Sequence, residues 1–241
     1  MPEQLVLLPG WSFGAAALEP LRAALIAHEP ALAVNLCPLP QLDSPGAWLD
    51  ELDQRLPRNS WLIGWSLGGM LATQLAARRG AACRGLIGIA SNPCFRARED
   101  WPSAMPAAVF DSFRAGFVAN PQQTLARFGL LCSRGSVDPR GLARQLQDTQ
   151  LERPVAELDA GLQLLAELDG RVALQAYAGP QLHLFAARDA LVPASAAEAL
   201  AGDVPQASVQ VLADASHALA LERADEVAAA ILAFVREHGH D

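Results

Sequence analysis

Two periodicities alternate along the opening third of the chain. Leu5-Val6-Leu7-Leu8 is an unbroken apolar run stopped by Pro9-Gly10, the pattern of a short strand buried on both faces. Apolar side chains then recur at helical spacing (Leu18, Leu21, Leu25 and Ile26), which predicts a helix over 16–28. The alternation continues with a strand over 31–36, a helix over 48–56, a strand over 60–64, a helix over 67–79 and a strand over 86–90. Short apolar strands separated by helices predict a parallel sheet covered on both faces.

At Asn92 the rhythm stops. From there to about Gly179 the chain shows helical periodicity and no convincing strand, divided into several helices by Pro102, Pro106, Pro121, Pro139 and Pro154. Alternation resumes with a strand over 181–186, a helix over 194–201, a strand over 207–212 and a helix over 222–237. The expected architecture is one α/β domain with core segments 1–92 and 180–241 and a helical cap, 93–179. No internal repeat or low-complexity linker marks a second domain.

Composition narrows the class. A chain of 241 residues that is 51% hydrophobic and 18% charged can bury a sizeable core. No apolar run approaches the roughly 18–20 residues needed to cross a bilayer. Met1-Pro2-Glu3-Gln4 lacks the basic and apolar regions of a leader, so a cytoplasmic protein with no membrane partner is expected, and a monomer. Cys37, Cys83, Cys94 and Cys132 are widely spaced without a CxxC pair and read as structural thiols in a reducing compartment. The five histidines (28, 183, 217, 238, 240) have no ligand-like spacing with them, so neither a metal nor a cofactor is expected. His238 and His240 are expected to be solvated at the C-terminal end.

The net charge of −8 argues against nucleic acid as a general partner. All 18 basic residues are arginine, and they are unevenly spread. Between Arg114 and Arg153 stand six arginines (114, 127, 134, 140, 144, 153) against three acids (Asp138, Asp148, Glu152), a local charge of +3.

The chemistry centres on Gly64-Trp65-Ser66-Leu67-Gly68, a G-x-S-x-G between a predicted strand and a predicted helix. So tight a turn favours glycine at its flanks and holds the serine in a strained backbone with its hydroxyl clear of the sheet. Ser66 is therefore the candidate nucleophile, and it needs a base. Asp189 follows the strand 181–186 and His217 follows the strand 207–212, so Ser66, Asp189 and His217 form a candidate triad in the chain order such a turn uses. Asp214 is a rival acid, but it shares the loop of His217, whereas the orienting acid normally arrives from a neighbouring strand. His183 lies inside a strand pattern and is expected to be packed rather than catalytic. Two backbone N–H groups are candidates for an oxyanion hole: Leu67, at the positive end of its helix, and Trp11, in the loop after the first strand. There Pro9 cannot donate and Gly10 allows close approach.

These residues resemble the BioH-type pimeloyl-[acyl-carrier protein] methyl ester esterases, an α/β-hydrolase family, over nearly the whole chain. The likeness is carried by Leu5 to Trp11, Trp61 to Gly69, Ala90 to Phe95 with Asp100-Trp101-Pro102, and Leu125-Ala126-Arg127-Phe128. It implies an α/β-hydrolase fold and a carboxylesterase acting on the methyl ester of a medium-length dicarboxylate carried as a thioester on acyl-carrier protein. It also implies substrate contacts from Trp11, Ser66, Leu67, Phe128, Gly129, Leu130, Leu131, Cys132 and His217, and carrier docking by Arg127, Arg140 and Arg144. Gln123 stands where the family carries another arginine. The +3 stretch, found without the resemblance, suits a strongly acidic carrier. In two respects the chain departs from the pattern: Pro9 replaces a histidine, and one or two leading strands are expected to be missing or short.

Three alternatives stay open on sequence: a general small-molecule carboxylesterase, a non-catalytic binding module on the same fold, and a cofactor-free haloperoxidase-like or C–C bond hydrolase that uses the same triad.

Overall fold

The computed structural model describes residues 3–239, so Met1, Pro2, His240 and Asp241 lie outside the described residues. Strands β1 (Gln4–Leu8), β2 (Ala33–Leu36), β3 (Trp61–Trp65), β4 (Gly85–Ile89), β5 (Gln181–Ala186) and β6 (Ser208–Leu212) form one sheet in the order β2-β1-β3-β4-β5-β6. Every neighbouring pair is parallel. The four inner strands are buried at nearly every position, which is why each reads as a continuous apolar run. The edge strands β2 and β6 are largely half-buried or exposed.

Helices α1 (Glu19–His28), α2 (Pro45–Arg55) and α3 (Leu67–Arg79) connect the first strands. Between β4 and β5 lie α4 (Ala107–Ala119), α5 (Pro121–Ser133), α6 (Pro139–Gln147), α7 (Val155–Glu167) and α8 (Arg171–Ala176). The chain closes with α9 (Ser195–Asp203), α10 (Leu219–Glu222) and α11 (Ala224–His238). Packing pairs α1 with α11, and sets α3 on β3, β4 and α8.

Several boundaries differ from the periodic pattern, each for a local reason. The helix expected from residue 16 opens as a 3-10 turn, Ala15–Leu18, because Pro20 is tolerated only in the first turn of an α-helix. Residues 92–106, expected to be helical, hold only isolated bridges (Arg96 with Met105, Arg98 with Trp101) among three prolines. The final helix breaks at Arg223 into α10 and α11. His238 is not simply solvated: its ring lies 4.3 Å from that of Phe234.

All four cysteines are free, with Cys37 half-buried and the others buried. Among the described residues no helix is long and apolar enough to cross a membrane. His183 is buried on β5 beside Gly88, and desolvation pulls its imidazole down to a pKa of about 4.

Candidate active site

The strand order places the site. From β1 the chain winds outward to β2, then returns to β3 on the other side of β1. Helices at such a reversal leave a crevice beyond the carboxyl ends of the two central strands, where ligands bind in open α/β sheets. Pro9-Gly10-Trp11 leaves β1 at that edge and Ser66 leaves β3 beside it. The two meet: a Cβ built on Gly10 stands 3.4 Å from the Ser66 Cβ.

Ser66 has φ 55° and ψ −119°, a conformation rare outside glycine. Its surroundings hold it there. Its N–H donates to the Ile89 carbonyl (2.9 Å), and its carbonyl accepts from the Ser91 hydroxyl (2.9 Å) and the Gly69 N–H (2.9 Å). The flanking glycines are required by contact. A Cβ on Gly64 would lie 2.3 Å from Gly68 backbone, and one on Gly68 would lie 2.4 Å from the Leu8 carbonyl oxygen.

Nε2 of His217 lies 3.0 Å from Ser66 Oγ, and its Nδ1 lies 2.7 Å from Asp189 Oδ2. An ionised carboxylate only accepts, so Nδ1 carries the proton and Nε2 presents its lone pair to the serine hydroxyl. The other carboxylate oxygen, Oδ1, accepts from the backbone N–H of Leu191 (2.7 Å) and Val192 (2.9 Å). The His217 ring and the Asp189 carboxylate are buried, which keeps water from competing for these bonds. Asp214, the rival acid, is exposed and pairs with Arg188 instead.

The loop bearing His217 is tied on three sides by groups that the sequence pattern does not reveal. Trp65 Nε1 donates to the His217 carbonyl (2.8 Å), Glu222 Oε1 accepts from the N–H and hydroxyl of Ser216 (both 2.5 Å), and the Cys132 carbonyl accepts from Ala218 N–H (3.2 Å). Glu222 makes its contact from the last position of the short α10. A serine followed six residues later by a glutamate is the only trace of this latch in the sequence.

Among the described residues no backbone or side-chain group accepts from the N–H of Trp11 or of Leu67, the first residue of α3. Leu67 N–H follows the serine directly, Trp11 follows the Gly10 that approaches Ser66, and helix α3 adds its positive end. Such an assembly can carry a proton from serine to imidazole and meet a developing oxyanion with two N–H groups.

Phe128 is buried, stacks on Phe13 (5.6 Å) and meets the Trp11 ring edge-on (4.9 Å). With Leu131, Phe113, Leu162 and Leu191 it lines a narrow apolar cavity of about 40 Å³. Gly129 faces α6, Leu130 is 54% exposed, and Cys132 is buried near Asp189 with its thiol pKa pushed well up by burial. Leu130 opens instead onto a shallow groove lined by Arg127, Arg134 and Arg140. Arg144 lies one turn beyond Arg140 on α6 and is exposed. Of the six arginines in the basic stretch, Arg114 pairs with Asp159 (3.2 Å) and Arg153 donates to the Pro40 carbonyl (3.2 Å). Arg127, Arg134, Arg140 and Arg144 have no ion pair among the described residues.

Comparison with known proteins agrees with this geometry. The model of the alpha/beta hydrolase family matches residues 5–230. A pimeloyl-[acyl-carrier protein] methyl ester esterase of Serratia marcescens is 34% identical over 245 aligned residues, covering 97% of this chain and 94% of that protein. The biotin biosynthesis bifunctional protein BioHC of Cellvibrio japonicus is 38% identical over 95% of this chain, which spans 47% of that longer protein. In fold the chain is similar to a bromoperoxidase from Bacillus anthracis, with a TM-score of 0.85 at 18% identity over 98% of this chain and 92% of that one. The chain belongs to the alpha/beta hydrolase family and, within it, to the family of the pimeloyl-[acyl-carrier protein] methyl ester esterases.

Proposed function

We propose that the protein is a cytoplasmic, monomeric serine carboxylesterase of biotin biosynthesis that hydrolyses the methyl ester of a pimeloyl group borne on acyl-carrier protein. The observation that carries the chemistry is the Ser66–His217–Asp189 relay, with contacts of 3.0 and 2.7 Å. His217 Nε2 takes the Ser66 proton as Oγ attacks the ester carbonyl, and the N–H groups of Trp11 and Leu67 meet the oxyanion. His217 then protonates the departing methanol. Water, deprotonated by the same imidazole, attacks the acyl-enzyme and releases the carboxylate and Ser66. Asp189 holds the tautomer and supports the imidazolium.

Segment 93–179 acts in this reading as the cap that selects the ester. The apolar cavity at Phe128 and Leu131 suits methylene groups. Arg127, Arg140 and Arg144, uncommitted to any internal carboxylate, suit an acidic carrier. Arg134 joins them by its place in the same groove as Arg127 and Arg140.

A serine-directed fluorophosphonate should label the protein and leave Ser66→Ala unlabelled. The protein should also restore biotin-independent growth to a strain lacking its pathway esterase, and Ser66→Ala should not. Labelling and free-ester hydrolysis without complementation would leave a general carboxylesterase. No labelling of the unmodified protein would sink the catalytic reading.

A further inference from the structure

We propose that α7 sets the oxyanion loop: Gly161 and the Leu158 carbonyl hold the Trp11 indole, making Gly161 a positioning residue for ester hydrolysis. The inference rests on the reading of Trp11 N–H as an oxyanion donor.

Trp11 leaves the sheet at the end of β1, yet its indole is gripped by helices between β4 and β5. Its Nε1 donates to the Leu158 carbonyl on α7 at 2.8 Å, in a buried bond. Its ring meets Phe113 (5.8 Å) and Phe117 (5.6 Å) of α4 and Phe128 (4.9 Å) of α5, all edge-on. Against the remaining side lies Gly161. A Cβ there would stand 2.6 Å from Trp11 Cδ1 and 3.0 Å from Nε1, distances that force the indole or the helix to move. Glycine in mid-helix is unfavourable for the helix itself, so its presence at 161 answers to this contact.

The backbone after Trp11 is held by the same segment. Ser12 has φ 67°, a left-handed conformation that persists in a non-glycine residue only when its surroundings impose it. The Gly14 N–H donates to the Thr149 carbonyl (2.8 Å), the Leu151 N–H donates to the Ser12 carbonyl (3.3 Å), and Phe13 bridges Gln150. Side chain and backbone of the loop are thus both held by the chain between β4 and β5, the indole by α4, α5 and α7 and the backbone by residues 149–151, just ahead of α7. An oxyanion donor acts over a few tenths of an ångström, and a misplacement of about 1 Å costs on the order of a hundredfold in rate. A shift of α7 against the indole therefore reaches the Trp11 N–H and is felt in the transition state more than in substrate binding.

The test compares Gly161→Ala, Trp11→Phe and the double variant on a free p-nitrophenyl ester, with melting temperatures. It adds inhibition by a trifluoromethyl ketone, which forms a tetrahedral oxyanion adduct with the serine. Gly161→Ala should lower kcat about tenfold or more, leave KM within about twofold, and weaken ketone inhibition in step with kcat/KM. Trp11→Phe should lower kcat several-fold, and its smaller ring leaves room for the methyl group added at 161. The double variant should then be no slower than Trp11→Phe alone. A folded Gly161→Ala with unchanged kcat, ketone inhibition that ignores the fall in kcat, or losses that simply multiply in the double variant would each overturn the proposal. If Gly161→Ala fails to fold, Trp11→Phe decides: unchanged kcat or unchanged ketone inhibition overturns the proposal. An unmodified protein with no Ser66-dependent hydrolysis removes the esterase reading and this one together. Ser66-dependent hydrolysis indifferent to Gly161 removes this one alone.

Discussion

The α3–α8 side and the α5–α6 face use arginine in opposite ways. Arg79, buried at the end of α3, donates to Asp53 Oδ1 (2.7 Å) and to the carbonyls of Pro57 (2.8 Å), Asp53 (2.9 Å) and Leu56 (2.9 Å). Arg171, at the start of α8, bonds Asp169 (2.6 Å) and Asp100 (2.8 Å), and its guanidinium holds the Asp169 carboxyl down to a pKa of about 2. Arg127, Arg134, Arg140 and Arg144 are exposed and pair with nothing among the described residues. An arginine with most of its N–H groups engaged braces the chain, whereas one left open projects its field into solvent. In the proposed reading the same division separates chemistry from selection: the candidate triad belongs to the strand ends, and the open charges belong to two helices inserted between β4 and β5.

The sharpest test of that division is His217→Ala. It should lower kcat by about a thousandfold or more, equally for carrier-borne and free esters, because the base does not sense what carries the acyl group. Unequal losses in steady-state kinetics would break the division. Arg79→Ala should cost about 3 kcal/mol of stability in urea, by stranding three carbonyls while Asp53 keeps only Arg58, with kcat of the folded protein unchanged. A cost near zero would place Arg79 with the open arginines.

Acid sensitivity should also map to the sheet. With a folded pKa of about 4 against about 6.5 unfolded, His183 contributes stability that is fully present above pH 6.5 and is lost as pH falls toward 4. That loss amounts to about 3 kcal/mol. His183→Leu should flatten thermal stability between pH 6.5 and 4; an unchanged slope would assign the acid limb elsewhere. The smallest effect is expected where charge meets solvent. Arg127→Ala with Arg144→Ala should lower kcat/KM for a carrier-borne ester about tenfold at low salt and blunt its salt dependence, with the free ester and Tm unaffected. No change with the carrier would end the docking reading.

The sequence makes the sheet side of this comparison readable because its signals are local. An apolar run ends, a turn residue follows, and the chain order of Ser66, Asp189 and His217 does the rest. What stays hidden are contacts between distant elements. Trp11 and Leu158 are 147 residues apart, and no periodicity announces their bond. Arg114 and Arg127 look alike in the basic stretch, yet one is paired with Asp159 and the other is open. The helix predicted over 222–237 made Glu222 its first residue, whereas Glu222 ends the short α10 and there bonds Ser216. Gly161 was a usable clue, since an isolated glycine in a helical pattern marks a close approach.

β4 and β5 are neighbours in the sheet, although residues 90–180 separate them in the chain. The two ends of that insertion therefore meet across a single strand spacing of about 4.8 Å. Chain-closure entropy grows only with the logarithm of length, each doubling costing about 0.6 kcal/mol, so a longer or shorter insert at this junction barely taxes the sheet. If the insertion is the proposed cap, the junction is a socket that would accept one cap in place of another. Any replacement inherits one duty: it must bring its own wall to Trp11.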